Sequence, residues 1–338
     1  MPDYKFDILC IGRSSIDLYS NDIGKPFEEI SNFSAYVGGC PTNISVGTRR
    51  LGLRSSLLTG VGHDPVGDFI LHFLKEEKVD TTYSVRKEGK RSSAVILGIE
   101  PPDKFPLVYY RDNCADIEIT TDDIREVPLE QCRAIIISGT GLSRDPSRTA
   151  TLYAAEEASA ADIKVILDVD FRADQWDNLQ AFGTTIRSVL PYVDIVLGTS
   201  EEIKAAAYSG TGSAQTKDYQ FSDSRIEADE GQAVERVLEK GPLVLVLKAG
   251  QNGSYIYNRG KKDPDHTPGF PVKVKNVLGA GDAFASGFIY GYLNDWNLRK
   301  CARFGNACGA IVVTRHGCAN FMPTLNEVET FVKEQGGL

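Results

Sequence analysis

The chain reads as an α/β protein with a mostly parallel central sheet flanked by helices and a small β-sheet lid, and two observations predict this. Short apolar runs rich in branched residues alternate with stretches of helical spacing, and two segments, 14–39 and 91–111, break that alternation. Phe6–Ile11 is the first run, and it ends at Gly12 as a buried strand delivering a turn would. The runs at 134–138, 165–168, 193–198 and 243–248 have the same form and follow or precede helical patterns such as 147–161 and 230–239. Such alternation implies parallel strands, because each needs a crossover helix to return to the same end of the sheet. Residues 93–99 and 107–111 flank Pro101, Pro102 and Pro106, the pattern of antiparallel strands joined by a loop. With 14–39 they predict a small sheet over the main one. The expected organisation is a single domain, 1–338, whose lid comprises about residues 13–40 and 86–115. The polar stretch 209–229 predicts a surface loop with no chemistry.

The 338 residues leave room for a large core, and 42% hydrophobic with 25% charged residues exclude a disordered or fibrous chain. With 46 acidic against 37 basic side chains the net charge is −9, which argues against nucleic acid and anionic membrane as partners. No apolar run approaches the ~20 residues of a membrane span and no secretion signal opens the sequence, so a cytoplasmic location is expected. Seven cysteines without a C-x-x-C pair predict reduced thiols rather than a disulfide frame or a zinc site. Cys40 has no histidine near it in sequence and reads as structural.

Chemistry first enters at 276–289, where a small-residue turn opens onto an apolar helix with Asp282 in its first turn. Gly279, Ala280 and Gly281 let backbone N–H groups approach an anion, and the helix dipole adds positive potential there. A carboxylate so placed would accept a hydroxyl proton while the amides hold charge on a transferring phosphoryl group, although Asp282 alone serves equally well as a helix cap. The phosphate loop G-x-x-x-x-G-K-[ST] is absent, and Gly279-Ala280-Gly281 lacks the third glycine of a dinucleotide fingerprint.

A second cluster, Gly38-Gly39-Cys40-Pro41-Thr42-Asn43, lies some 230 residues upstream. Together the two segments resemble the paired signatures of the ribokinase-like (PfkB-type) carbohydrate kinases, over essentially the whole chain. The resemblance implies the ribokinase-like fold, ATP as phosphoryl donor and Mg²⁺ as cofactor. It also implies Asp282 as base, Gly279, Ala280 and Gly281 as anion hole, and Asp17, Gly38, Gly39 and Asn43 as holders of sugar hydroxyls. On the nucleotide side it points to Lys248, which stands where many relatives carry Thr, and to Gly250, Gly253 and Asn306. Glu201 matches the family's N-x-x-E element, which organises the magnesium and phosphate region, with Gly198 in place of the Asn.

Segments 109–116 and 168–172 resemble those with which acid-sugar members of the family grip a substrate carboxylate, which implicates Tyr109, Arg111 and Arg172. Paired guanidinium forks suit a planar carboxylate, which a neutral sugar lacks. Arg13 is a further candidate contact. Segments 11–19, 110–116 and 197–202 narrow the resemblance to the acid-sugar branch of inositol catabolism, implying transfer to the terminal hydroxyl of 5-dehydro-2-deoxy-D-gluconate. Kinases of 2-keto-3-deoxygluconate or of neutral ketoses are the alternatives. Dimers are common in the family, and an uncapped lid edge predicts a homodimer through the lid.

Overall fold

Residues 4–100, 104–210, 214–216 and 224–338 are described in a computed structural model of the chain. The amino-terminal half runs β1 (Phe6–Ile11), β2 (Ser15–Ser20), β3 (Phe33–Gly38), α1 (Cys40–Arg50), β4 (Ser55–Leu58), β5 (Gly60–Gly62), α2 (Pro65–Glu76), β6 (Val85–Lys87), β7 (Ser93–Leu97) and β8 (Leu107–Tyr110). There follow α3 (Thr121–Arg125), β9 (Cys132–Ser138), α4 (Ser147–Ala160), β10 (Lys164–Asp168), α5 (Leu179–Val189), β11 (Ile195–Thr199) and α6 (Ser200–Ala207). The chain continues through β12 (Ala214–Thr216), β13 (Ser224–Ile226), α7 (Glu230–Leu238), β14 (Val244–Lys248), β15 (Ser254–Asn258) and β16 (Asp265–Thr267), and closes with α8 (Ala280–Leu293), α9 (Leu298–Val313) and α10 (Leu325–Glu334).

Every residue of β1 is buried, which explains its unbroken apolar sequence: both faces of the strand are covered. The main sheet has eight strands in the order β16-β15-β14-β11-β10-β9-β1-β4. Its pairs from β4 through β14 are parallel, whereas β14–β15 and β15–β16 are antiparallel. Alternate side chains of one strand enter opposite cores. Ile135 and Ile137 join one core with α4, α5 and α7, and Ala134 and Ile136 join the other with α1, α8 and α9.

A second sheet, β3-β2-β7-β8, forms the lid. It is mixed: β2–β3 and β7–β8 are antiparallel, but β2 and β7 run parallel. The stretch expected to be a plain surface loop, 209–229, contains the antiparallel ribbon β12–β13, while 211–213 and 217–223 lie outside the described residues. Ile226, at the ribbon's end, is buried, and that apolar anchor is why the segment is not loop throughout.

Helix α1 packs on α8 at a glycine. A Cβ on Gly47 would stand 2.2 Å from Ser286 Oγ and 2.7 Å from its Cβ. One turn earlier on each helix, this close approach brings Asn43 and Asp282 together. Gly47→Ala is expected to force the helices apart and to destabilise the fold by about 1–3 kcal/mol, the usual cost of overpacking. A denaturant midpoint equal to that of the unsubstituted chain would show that the contact yields freely.

Candidate active site

The carboxyl ends of β10, β11 and β14 and the first turns of α1 and α8 meet beneath the lid, where open α/β sheets bind ligands. At the start of α8, Gly279 adopts a left-handed conformation with φ +77, and no side chain caps the helix. The Ala280 N–H turns back to the Val277 carbonyl at 3.3 Å. Gly281 and Asp282 keep their N–H groups without a hydrogen-bond partner among the described residues, so they, rather than Ala280, are the donors open to an anion. Asn43 Nδ2 donates to Asp282 Oδ2 at 2.6 Å. Burial, reinforced by the Asp170 carboxylate, pushes Asp282 up to about 6, against the pull of the Asn43 hydrogen bond, Lys248 and Arg172.

Lys248 is not the solvated strand end its sequence position suggests. Its side chain is only 11% exposed, its Nζ donates to both oxygens of Asp168 at 3.1 and 3.0 Å, and Glu202 Oε2 lies 3.8 Å away. A Cβ on Gly281 would stand 3.3 Å from that ammonium, so the charge lies against the turn that opens α8. Burial opposes the charged lysine, but Asp168 and Glu202 outweigh it and hold Lys248 protonated. Burial lifts Asp168 above the usual carboxylate range, with Glu202, Asp282 and Asp170 adding to it and Lys248 opposing. Cys40 brings its sulfur within 4.8 Å of carboxylate oxygens of Asp168 and Asp282. Burial first, then Asp282, raises this thiol well above its ordinary value, so it stays protonated.

Glu201 does not face this cluster. Its carboxylate accepts from Lys204 Nζ at 2.9 Å and from the Ile226 N–H, which ties α6 to the ribbon. Glu202, one residue on, is the buried one, and it also accepts from the Thr199 N–H as the second half of a capping box. Thr199-x-x-Glu202 was a visible capping pattern, and it is the signal that would have picked out the inward carboxylate.

Asp17 is buried under the lid, with Ser15 Oγ donating to one oxygen at 2.6 Å and Cys318 Sγ to the other at 3.3 Å. Burial raises its pKa against the pull of Arg13 and these two donors. Gly38 leaves room for the carboxylate: a Cβ there would fall 2.0 Å from Asp17 Oδ2. Gly39, at φ +109, passes so close to the Arg13 carbonyl that a Cβ would stand 2.3 Å from it. Arg13 is 6% exposed, donates from Nη1 to Ser15 Oγ at 2.8 Å, lies over the Tyr109 ring at 5.3 Å and leaves Nε without a partner among the described residues. Arg172 pairs with Asp170 at 3.0 Å.

Arg111 departs from the expected carboxylate fork. Its Nε reaches Asp116 at 2.7 Å, Nη1 reaches Ser143 at 2.9 Å and Gln175 at 3.3 Å, and Nη2 reaches the Thr140 carbonyl at 3.0 Å. All three nitrogens are engaged within the protein, because the pairing acid is Asp116 and the remaining acceptors come from distant parts of the chain. Arg111 is thus a strut beneath the lid's edge. Gly250 and Gly253 shape the β14–β15 hairpin. Asn306 is buried and donates to the Thr267 and Pro268 carbonyls at 3.1 Å each, bracing that backbone.

Residues 5–325 match the pattern of the pfkB family carbohydrate kinases. The chain belongs to that family. Among its relatives, the 5-dehydro-2-deoxygluconokinase of Clostridium perfringens is 35% identical over 334 residues, covering 98% of this chain and 94% of the relative. That of Geobacillus kaustophilus is 32% identical over 329 residues, covering 97% and 94%. A putative ribokinase II from E. coli, solved with ATP and Mg²⁺, superposes with a TM-score of 0.84 at 22% identity, covering 97% of this chain and 99% of that one. A fructokinase from Xylella fastidiosa with bound ATP gives 0.82 at 23%, covering 97% and 98%. At these identities the two structures show the shared ribokinase-like fold. Family membership makes the chain a phosphotransferase acting on carbohydrate.

The raised pKa of Asp282 sets an expectation for pH dependence. A base must be deprotonated to act, so kcat/KM should be level at higher pH and fall as pH drops through about 6. Asn43→Ala removes a hydrogen bond that favours the ionised form. It should move this acid limb upward by up to about one unit, a hydrogen bond being worth about 1 kcal/mol. A limb unmoved in that variant would assign the titration to another group.

Proposed function

We propose that the chain transfers the γ-phosphoryl group of ATP to the C6 hydroxyl of 5-dehydro-2-deoxy-D-gluconate. The observation that carries the chemistry is the half-buried Asp282 carboxylate beside the free amides of Gly281 and Asp282. Asp282 takes the proton of the primary hydroxyl as that oxygen attacks the γ-phosphorus, and ADP departs with the electrons of the broken P–O bond. The two amides donate to the transferring phosphoryl oxygens, and the Lys248 ammonium adds positive charge beside them. Nothing in this scheme needs a phosphoenzyme. The buried oxygen donors of Asp168 and Glu202 fit a hard cation held largely through water, and Mg²⁺ there would supply charge neutralisation for the phosphates.

The substrate assignment rests on the curated relatives and on Arg13. A buried guanidinium with an unmet Nε, beside Asp17 and over Tyr109, lacks an acceptor that a carboxylate or keto oxygen of the sugar would provide. Arg172 and Tyr109 add cationic and hydroxyl groups beside Arg13, and Gly38 and Gly39 make room for the Asp17 carboxylate and the Arg13 carbonyl that would meet the sugar's hydroxyl groups. In this scheme the open space over Gly250 admits the nucleotide, and Gly253 lets the hairpin pack against the backbone at 267–269.

Asp282→Asn is expected to lower turnover by about two to four orders of magnitude with KM values little changed, as measured by ADP release; near-normal turnover would remove Asp282 as the base. In the same assay 5-dehydro-2-deoxy-D-gluconate should be preferred to 2-keto-3-deoxygluconate and fructose. Arg13→Leu should raise KM for the acid sugar about 10- to 100-fold while leaving that for ATP in place, the loss expected for one charge-assisted hydrogen bond. Equal use of fructose, or equal effects of Arg13→Leu on both substrates, would defeat the acid-sugar reading.

A homodimer through the lid is the second part of the proposal. The pleat that turns Asp17 and Tyr109 inward turns Leu18, Ile96, Val108 and Tyr110 outward, and the register sets Leu18 opposite Ile96 and Ile96 opposite Val108. Val108 and Tyr110 are 40% and 58% exposed. A second copy of the same face is a self-complementary cover for it. Light scattering coupled to gel filtration should give a dimer for the unsubstituted chain and a monomer for Val108→Asp; a monomer in both would refute it.

A further inference from the structure

Away from the active centre, a cleft of about 930 Å³ opens where β16, the start of α9 and the end of α10 meet. It holds none of the residues assigned to phosphoryl transfer, and its volume lies in the range of small-molecule sites. Trp296, Phe304 and Val332 give it apolar walls. Around them stand Arg299, Lys300, Arg303 and Lys333, against one acidic side chain, Glu329. In a chain of net charge −9 this is a local reversal of sign. None of the four cations forms an ion pair among the described residues. Lys300 Nζ lies over the Trp296 ring at 3.9 Å, and the Arg303 guanidinium over the Phe270 ring at 3.5 Å. Arg303 Nη1 also donates to the Pro268 and Gly269 carbonyls at 2.8 and 3.3 Å. Aromatic faces and carbonyls thus hold these charges in place without neutralising them. Burial pulls Arg303 below its ordinary value, and no carboxylate among the described residues offsets it. Arg299 and Lys300 occupy the first turn of α9, which has no acid, so both add to the positive end of the helix dipole instead of balancing it. Such an arrangement costs stability, and an anion in the cleft would relieve it.

We propose that this cleft binds an organic anion with an apolar body, the body lying against Trp296, Phe304 and Val332 and the carboxylate or phosphate head meeting the surrounding guanidinium and ammonium groups. The class of ligand follows from the two kinds of wall. A hydrated inorganic anion would leave the apolar walls facing water, and a neutral apolar molecule would leave four cations unmatched. Guanidinium forks suit an oxyanion head, to which they donate two N–H groups at once. The site is independent of the proposed reaction and stands whether or not Asp282 is the base.

The test titrates 8-anilinonaphthalene-1-sulfonate, an aromatic sulfonate whose fluorescence rises in apolar surroundings, into the full chain with Mg²⁺ and a saturating non-hydrolysable ATP analogue present. One saturable site is expected, from which octanoate displaces the dye at about ten-fold lower concentration than octan-1-ol. Arg299→Glu/Lys333→Glu, at two exposed positions, should weaken dye binding about 10- to 100-fold, the loss expected when charge-assisted contacts are removed. Lys75→Glu/Lys240→Glu changes the net charge equally at exposed positions outside the cleft and should bind the dye like the unsubstituted chain. Circular dichroism checks the fold of each variant, and should the first not fold, Arg303→Leu takes its place with the same loss expected. No saturable binding beside the ATP analogue, octan-1-ol as effective as octanoate, or a cleft variant that binds the dye no more weakly than the control variant would each overturn the proposal.

Discussion

A hydrogen bond between Asn43 and Asp282 joins the two halves of the candidate site. Asn43 belongs to the helix that follows the lid's edge strand, and Asp282 to α8, 239 residues later in the chain. The contact exists because Gly47 and Ser286 let the helices approach one turn away. It also has a chemical effect, since an amide donor stabilises the ionised carboxylate against a burial that favours the protonated one. A looser helix contact would leave Asp282 more often protonated.

Around that bond the site is a balance of buried charge. Asp282, Asp168, Asp170 and Glu202 would repel one another in a dry cleft, and Lys248, Arg172 and Arg13 are interleaved among them. The arrangement follows from topology: parallel strands all end on one side of a sheet, so the residues after β10, β11 and β14 arrive together whatever their separation in sequence. Lys248 and Asp168 are 80 positions apart yet share two hydrogen bonds. Each group alone would be costly to bury, and together they form a preorganised field for a polyanionic reactant.

The main sheet and the lid were legible because each buried parallel strand is a short branched apolar run and because the proline-flanked segment interrupts that rhythm. Asp282 and Asn43 were legible because small residues crowd around them in two distinctive motifs. What stayed hidden depends on partners remote in sequence. Arg111 reads as a free fork until Asp116, Ser143, Gln175 and Thr140 surround it. Lys248 reads as solvated until Asp168 covers it. Glu201 and Glu202 differ by one position, about 100° of helix, and only the placement of the helix axis tells which faces inward. The ribbon β12–β13 escaped because the polar composition of 209–229 masks the apolar anchor Ile226.

All seven cysteines are buried and none is disulfide-bonded. Thiols packed in apolar surroundings react slowly with maleimides and iodoacetamides, so the folded protein presents a chemically silent exterior to such reagents. One cysteine introduced at an exposed position, for instance in place of Lys262, would therefore accept a dye or spin label selectively, without the stripping of native thiols that labelling usually demands.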